Sequence, residues 1–181
     1  DTSFAVFRKN ANEPIVTQIV KKGERPYIHP IVAPDGKGVI TEFRPGHHLH
    51  QTGIFWGLKL VNGRDNFMNY RSDYWRFVSA AVTQEKGDQV KWQTVYETID
   101  SAKNAVMVET QNWTMRAFGN HYILDLEWRG EAKVDVVMGK FYVGGLFVRM
   151  PWKKGYDGDI VNAAGQKNKE VEAQRAIWSD V

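Results

Sequence analysis

Between residues 89 and 99, Val90, Trp92, Thr94 and Tyr96 alternate with Lys91, Gln93, Val95 and Glu97. A period of two marks a strand with one buried face, and it is incompatible with the 3.6-residue repeat of an amphipathic helix. Short apolar runs of similar character occupy residues 4–7, 15–20, 39–43, 54–61, 77–83, 105–115, 122–128, 134–138 and 142–150. The dipeptides Asp35-Gly36, Asn62-Gly63, Gly87-Asp88, Gly119-Asn120 and Asp157-Gly158 punctuate them. These residue types tolerate the positive φ of tight turns. About ten strands at such spacing argue for an all-β chain folded as an antiparallel sandwich or barrel. Only residues 167–176 invite a helix, and their lack of an apolar stripe leaves a polar loop equally open. With no internal repeat and no Pro/Ser/Gly-rich linker, residues 1–181 read as one domain.

Composition removes several function classes. Hydrophobic residues at 43% and charged residues at 25% are ordinary globular usage, which excludes a disordered tail or low-complexity filament. Lys and Arg outnumber Asp and Glu by 24 − 21 = 3, and no basic run exceeds the pairs Lys21-Lys22 and Lys153-Lys154. A nucleic-acid partner is therefore not expected. Cysteine is absent, so disulfides, thiolate metal sites and a Cys nucleophile are excluded. No run approaches the roughly 18 apolar residues of a membrane-spanning helix. Gly-x-Ser-x-Gly, Walker, dinucleotide-binding and His-Glu-x-x-His motifs are all missing, which removes kinase, NTPase, Rossmann oxidoreductase and zincin readings. Aromatic residues reach 13%, with seven Trp, favouring a β-rich core or a stacking surface.

The segment Arg44-Pro45-Gly46-His47-His48-Leu49-His50-Gln51-Thr52-Gly53 holds three of the five histidines. In an extended chain His48 and His50 share one face and His47 takes the other. Such a pair could ligate a divalent metal together with a carboxylate, work as acid and base, or merely hydrogen-bond loop carbonyls. His29, before Pro30, is held extended and can be aimed at a ligand. His121 reads as a hairpin residue, and Asp65 as a turn or capping group. Asp125 and Glu127 share one strand face, opposite Leu124, Leu126 and Trp128, and Glu109 holds the corresponding position on its own strand. Either carboxylate of the pair could support the histidines or simply face water. Arg149 sits in an apolar run, where an unpaired charge is costly, so it must meet a carboxylate or an anionic or polyhydroxyl ligand. Tyr70, Tyr74 and Trp75 surround a polar stretch suited either to stacking a sugar ring or to edging the core. Arg175 and Trp178 could form a similar polar-aromatic edge.

The block from Arg25-Pro26-Tyr27-Ile28-His29-Pro30, the His-rich segment, Asn62-Gly63-Arg64-Asp65, Leu124-Asp125-Leu126-Glu127-Trp128 and Gly144-Gly145-Leu146-Phe147-Val148-Arg149 together resemble the PmoA-like family of exported bacterial proteins, named for methane oxygenase. The resemblance runs from about Glu24 to the end, through Arg175-Ala176-Ile177-Trp178. It implies a β-sandwich of the supersandwich kind, linked to carbohydrate breakdown and located in the periplasm or outside the cell. The methane monooxygenase subunit of that name spans the bilayer, and this chain has no segment able to do so. The family's usual motif is Asp-His-Pro-His-His-x-Gly. Counting back from Gly53, His48 and His50 match its first two histidines, Gln51 replaces the third, and His47 replaces the Asp.

The resemblance also implies a domain that continues beyond Val181, so that the sandwich is incomplete at its C-terminal end and association with that continuation or another chain is expected. The expected function is a carbohydrate-active enzyme of lyase, hydrolase or epimerase type acting on a sugar or glycan. His48 and His50 would carry acid/base or metal chemistry, supported by Glu127 and Arg149. His29, Gln51, Tyr74, Trp75, Arg175 and Trp178 would bind substrate. A non-catalytic sugar-binding module and a structural component of a larger complex are the alternatives.

Overall fold

A computed structural model describes residues 2–152 and 158–181. Lys153, Lys154 and Asp157, which belong to the basic pair and the last turn noted above, lie outside the described residues. The chain starts with β1 (Thr2–Phe7), β2 (Pro14–Val20), β3 (Tyr27–Ile31) and β4 (Ile54–Gly57), followed by a short hairpin of β5 (Leu60–Val61) and β6 (Arg64–Asp65). Four strands follow: β7 (Trp75–Gln84), β8 (Val90–Ile99), β9 (Ala105–Ala117) and β10 (Tyr122–Ala132). Two shorter ones, β11 (Met138–Gly139) and β12 (Gly145–Val148), come next.

All pairings are antiparallel. One sheet has the order β1-β2-β3-β4-β12, a second β10-β9-β8-β7, and a small third β11-β5-β6. The architecture is all-β and sandwich-like, as the alternation predicts. Ile15, Val16, Ile28 and Ile31 of the first sheet pack against Trp92, Trp113 and Met115 of the second. Each fully buried large side chain contributes roughly 1.5–3 kcal/mol, so this contact is the main reason the two sheets stay face to face. Further clusters form around Val20, Trp75 and Tyr96, and around Tyr27, Phe55 and Phe67.

Residues 151–181 form a separate compact unit. Within it β13 (Val161–Asn162) pairs with β14 (Ser179–Asp180). Buried Asn162 organises the turn: its Oδ1 accepts from the backbone N–H groups of Ala164 (3.0 Å) and Gln166 (3.1 Å). The segment 167–176 forms only a short 3-10 turn, Asn168–Val171, with no buried residue. A longer helix there has no apolar face to bury.

Several expected strands are shorter or differently placed. Residues 39–43 make only the isolated bridges Val32↔Val39 and Phe43↔Thr52, because their backbone groups go to different partners: Ile40 N–H to Ile31 O and Glu42 N–H to Arg149 O. The run 54–61 breaks between β4 and β5, and of 134–138 only Met138 joins a strand. β3, whose period is disturbed by His29 and Pro30, is an addition.

The inward face of the second sheet is not wholly apolar. Trp92 Nε1 donates to Gln18 Oε1 (3.0 Å), and Gln18 Nε2 donates to Tyr27 O (2.9 Å). Trp113 Nε1 donates to Gln111 Oε1 (3.1 Å), and Gln111 Nε2 to Glu109 Oε1 (2.6 Å). The indole N–H groups of Trp92 and Trp113 are thus each matched by a glutamine, and leaving either unmatched would cost about 1–3 kcal/mol. Glu109 does not face water: it is 1% exposed, sits opposite Tyr96, and its Oε2 has no partner among the described residues. Burial pushes its carboxyl up to about 7, against the opposing pull of the Gln111 amide, the Trp128 indole and the Arg25 charge.

The pH dependence has a definite sign. The folded chain keeps the Glu109 proton between pH 4.5 and 7, where the unfolded chain has released it. Stability from this group is full below pH 4.5, falls across that window and levels off above it. Glu109→Gln should flatten this decline and make the protein more stable than wild type at pH 8 by about 3 kcal/mol. Denaturant midpoints measured from pH 4 to pH 8 check this; a decline that persists in the variant assigns the proton linkage to another group.

Candidate functional site

The loop 42–53 enters β4 and carries the histidines. It is not extended: His48 N–H donates to Pro45 O (2.9 Å) and Gln51 N–H to His48 O (3.0 Å), while Arg44 N–H donates to Gln51 O (2.8 Å) and closes the loop. Two successive turns therefore replace the strand geometry assumed for His47, His48 and His50, and the split into two faces does not hold. Pro45 and Gly46 start the first turn, and Gly46 takes φ 53°. The three rings form one row, with centroids 4.0 Å apart for His47 and His48 and 6.0 Å for His48 and His50.

Exposure falls along that row. His47 is exposed, His48 half-buried and His50 8% exposed. The His50 ring lies 5.7 Å from Phe67, and its backbone oxygen accepts from Arg25 Nη2 at 2.8 Å. Burial, then the Arg25 and His48 charges, lower the proton affinity of His50, with Asp65 pulling the other way. His50 is therefore neutral at physiological pH.

Arg25, which the sequence reading passed over, is the link beneath this row. It is 2% exposed, its guanidinium lies 3.7 Å from the Phe55 ring centroid, and Nη1 donates to Phe67 O (2.8 Å) and Asn66 O (3.3 Å). Burial lowers it to about 9, which leaves it charged at neutral pH. The one sequence signal was an Arg placed directly before an apolar strand.

The loop is anchored at its other end by Gly53. An added Cβ there would meet Ile28 O at 2.2 Å, and φ is 76°, so only glycine fits. Gly53 N–H donates to Glu42 O (2.9 Å), and Arg149 N–H donates to Gly53 O (2.8 Å). The Arg149 side chain meets the carboxylate its apolar setting demanded: Nε donates to Glu42 Oε2 at 2.9 Å. Arg149 thus joins β12 to the histidine loop through both backbone and side chain. On the neighbouring strand, His29 Nδ1 and Thr41 Oγ1 share a hydrogen bond of 2.9 Å, and the ring stacks on Phe43 at 5.5 Å. Burial lowers the proton affinity of His29 as well.

Residues 11–181 match the model of a family of unknown function, DUF6807. The chain belongs to DUF6807. No curated protein and no solved structure matches it.

The remaining predicted site residues of this DUF6807 chain disperse. Gln51 is in the histidine loop and buried, with Oε1 lacking a partner among the described residues. Glu127 is exposed on β10 beside Asp125, which pairs with Arg116 at 2.6 Å. Among the described residues Glu127 has no hydrogen bond to a histidine, because Leu126 and Trp128 take the inward positions and turn it outward. Trp75 is core, 1% exposed, with Nε1 donating to Asn69 O (2.9 Å), so it offers no stacking face. Tyr74 is half-buried and covered by the Arg64 guanidinium at 4.3 Å. Arg175 and Trp178 are exposed residues of the second unit. His121 stacks on Phe118 beside the β9–β10 turn, and Asp65 Oδ1 caps the N–H groups of Phe67 and Met68.

Among the described residues no group of three or more His, Asp or Glu is arranged to hold a metal ion. His48 and His50 offer two nitrogens, short of the three protein ligands of a catalytic zinc site.

Two substitutions test the frame of the DUF6807 loop. Gly53→Ala should lower stability by more than about 2 kcal/mol, since backbone must move to admit the methyl group. Arg149→Leu should cost about 1–2 kcal/mol by stranding the half-buried Glu42, and Glu42→Gln in that background should recover part of the loss. Chemical denaturation measures both.

Proposed function

We propose that the His47–His48–His50 row is the reactive centre of an exported carbohydrate-active protein, with His48 as the group that gives and takes a proton. The observation that carries this reading is the graded exposure of three imidazoles in one row, with His48 between His47 and His50. A half-buried imidazole beside a buried, neutral one can be reached by a ligand while its neighbour holds it in place. Imidazole is the side chain whose ordinary chemistry lets it both give and take a proton near neutral pH, which suits proton transfer at a sugar C–H or C–O bond. Neutral His50, held by Arg25 through its carbonyl, is the positioning residue for His48. The donor set favours acid/base work over metal chemistry because no carboxylate among the described residues completes a metal-binding group with the row. The link to carbohydrates and the periplasmic or extracellular location rest on the family resemblance in the segments from Arg25 to Arg149. Each of the three reaction types also needs a proton donor: for the leaving oxygen in lyase and hydrolase chemistry, and for the opposite face of the carbon in epimerisation.

A panel of glycosides, uronides and oligosaccharides assayed with wild type and His48→Ala tests the proposal. Turnover of at least one substrate should fall about 100-fold or more in the variant, the typical contribution of a general acid or base, while the circular dichroism spectrum stays unchanged. Substrate turnover that survives His48→Ala removes His48 from the chemistry. Saturable sugar binding without turnover in the wild type leaves a sugar-binding module instead.

A further inference from the structure

A cleft of about 330 Å³ opens between the β5–β6 hairpin and the turn joining β8 to β9. Its volume is at the lower end of small-molecule sites, roughly 300–1,000 Å³, and far above the ~30 Å³ share of one water. Ile99, Val106 and Val134 form an apolar wall. Asn66 and Arg64 are part of its polar lining.

Asn66 is 2% exposed. Its N–H donates to Lys59 O, its carbonyl accepts from Arg25, and Nδ2 donates to Arg64 O (3.2 Å). Only Oδ1 is left, buried and without a partner among the described residues. Arg64 donates from Nη2 to Asp73 O (2.8 Å) and lies over Tyr74, yet its Nε is also buried and unpartnered. The walls of the cleft thus contain one unmatched acceptor and one unmatched donor, each a cost in the empty state. Ser101 adds a hydroxyl at the exposed rim.

The charges of the cleft are already engaged. The Asp100 carboxylate accepts from the N–H (2.8 Å) and Nδ2 (3.1 Å) of Asn104, which holds it below its ordinary range. Arg64 also draws the Asp100 carboxylate down, so the cleft carries one charge of each sign and favours neither an anion nor a cation. A neutral molecule with both donors and acceptors and an apolar face is complementary.

We infer that this cleft is a binding site for a neutral, polyhydroxylated molecule of one-ring size, such as a monosaccharide or cyclitol. It is separate from the histidine row and does not depend on that row being catalytic. Amide chemical shifts of the intact chain, titrated with D-glucose, D-galactose and myo-inositol, test it. At least one probe should shift Asn66, Ile99 and Ser101 saturably in the millimolar range, with glucuronate and glucosamine binding more weakly. Ser101→Trp, at an exposed turn position, should abolish the shifts, and Arg64→Lys should weaken binding about tenfold by removing the Nε donor. Persistence of the shifts in His48→Ala separates this site from the histidine row. No saturable shift at these amides with any neutral probe, or shifts that survive Ser101→Trp, overturns the inference. Shifts confined to residues 47–51 overturn it too, while leaving the histidine reading intact.

Discussion

One guanidinium holds together the histidine loop and the segment that follows β6. Arg25 enters the interior at the start of β3, lies flat on Phe55 and donates to carbonyls of His50, Asn66 and Phe67. A buried cation needs acceptors for its donors, and both terminal nitrogens of Arg25 have them, although Nε has no partner among the described residues. Here the acceptors come from two loops that have no regular secondary structure to hold them. The histidine turn and the segment after β6 are therefore positioned by the same charge. Arg25 and Glu109 attract one another, but Glu109 gains too little from that to offset its burial and holds its proton to about pH 7.

The second organising feature is the way polar groups are threaded through an apolar sandwich. Gln18 and Gln111 match the indoles of Trp92 and Trp113, so four large polar-edged side chains occupy the core without leaving those N–H groups unmet. Towards the β5–β6 hairpin the matching is incomplete, at Asn66 Oδ1 and Arg64 Nε. Other buried polar atoms, including Gln51 Oε1 and Glu109 Oε2, also lack partners among the described residues, but Asn66 and Arg64 are neighbours in the lining of one cleft. The histidine row and this cleft flank the same buried arginine, one through the His50 carbonyl and the other through that of Asn66.

Legibility in the sequence followed the range of the interaction. The alternation in β8 and β10 was readable because each strand needs only its own period to declare its buried face. That reading placed Leu124, Leu126 and Trp128 inward and Asp125 and Glu127 outward, as the strand shows. The same alternation misled at Glu109, where the partners that tolerate a carboxylate in the core, Gln111 and Trp128, are not visible as a pattern. Arg149 was a middle case: its apolar surroundings demanded a carboxylate, but nothing local singled out Glu42, 107 positions away. Trp75 and Tyr74 are adjacent, yet one is core and the other covers Arg64, a distinction settled by strands β2 and β8.

By itself, the sequence determined the all-β class, the positions of most turns, the exclusion of cysteine chemistry and the concentration of imidazoles before β4. These depend on neighbours within a few residues, where backbone preference and side-chain period act directly. The tertiary structure decided that the histidines line up in one row, that Arg25 holds the His50 carbonyl, that Glu127 stands apart, and that Asn66 and Arg64 meet at a cleft. Such outcomes arise from hydrogen bonds and packing between segments tens of residues apart, and their energies exist only once the sheets have brought those segments together.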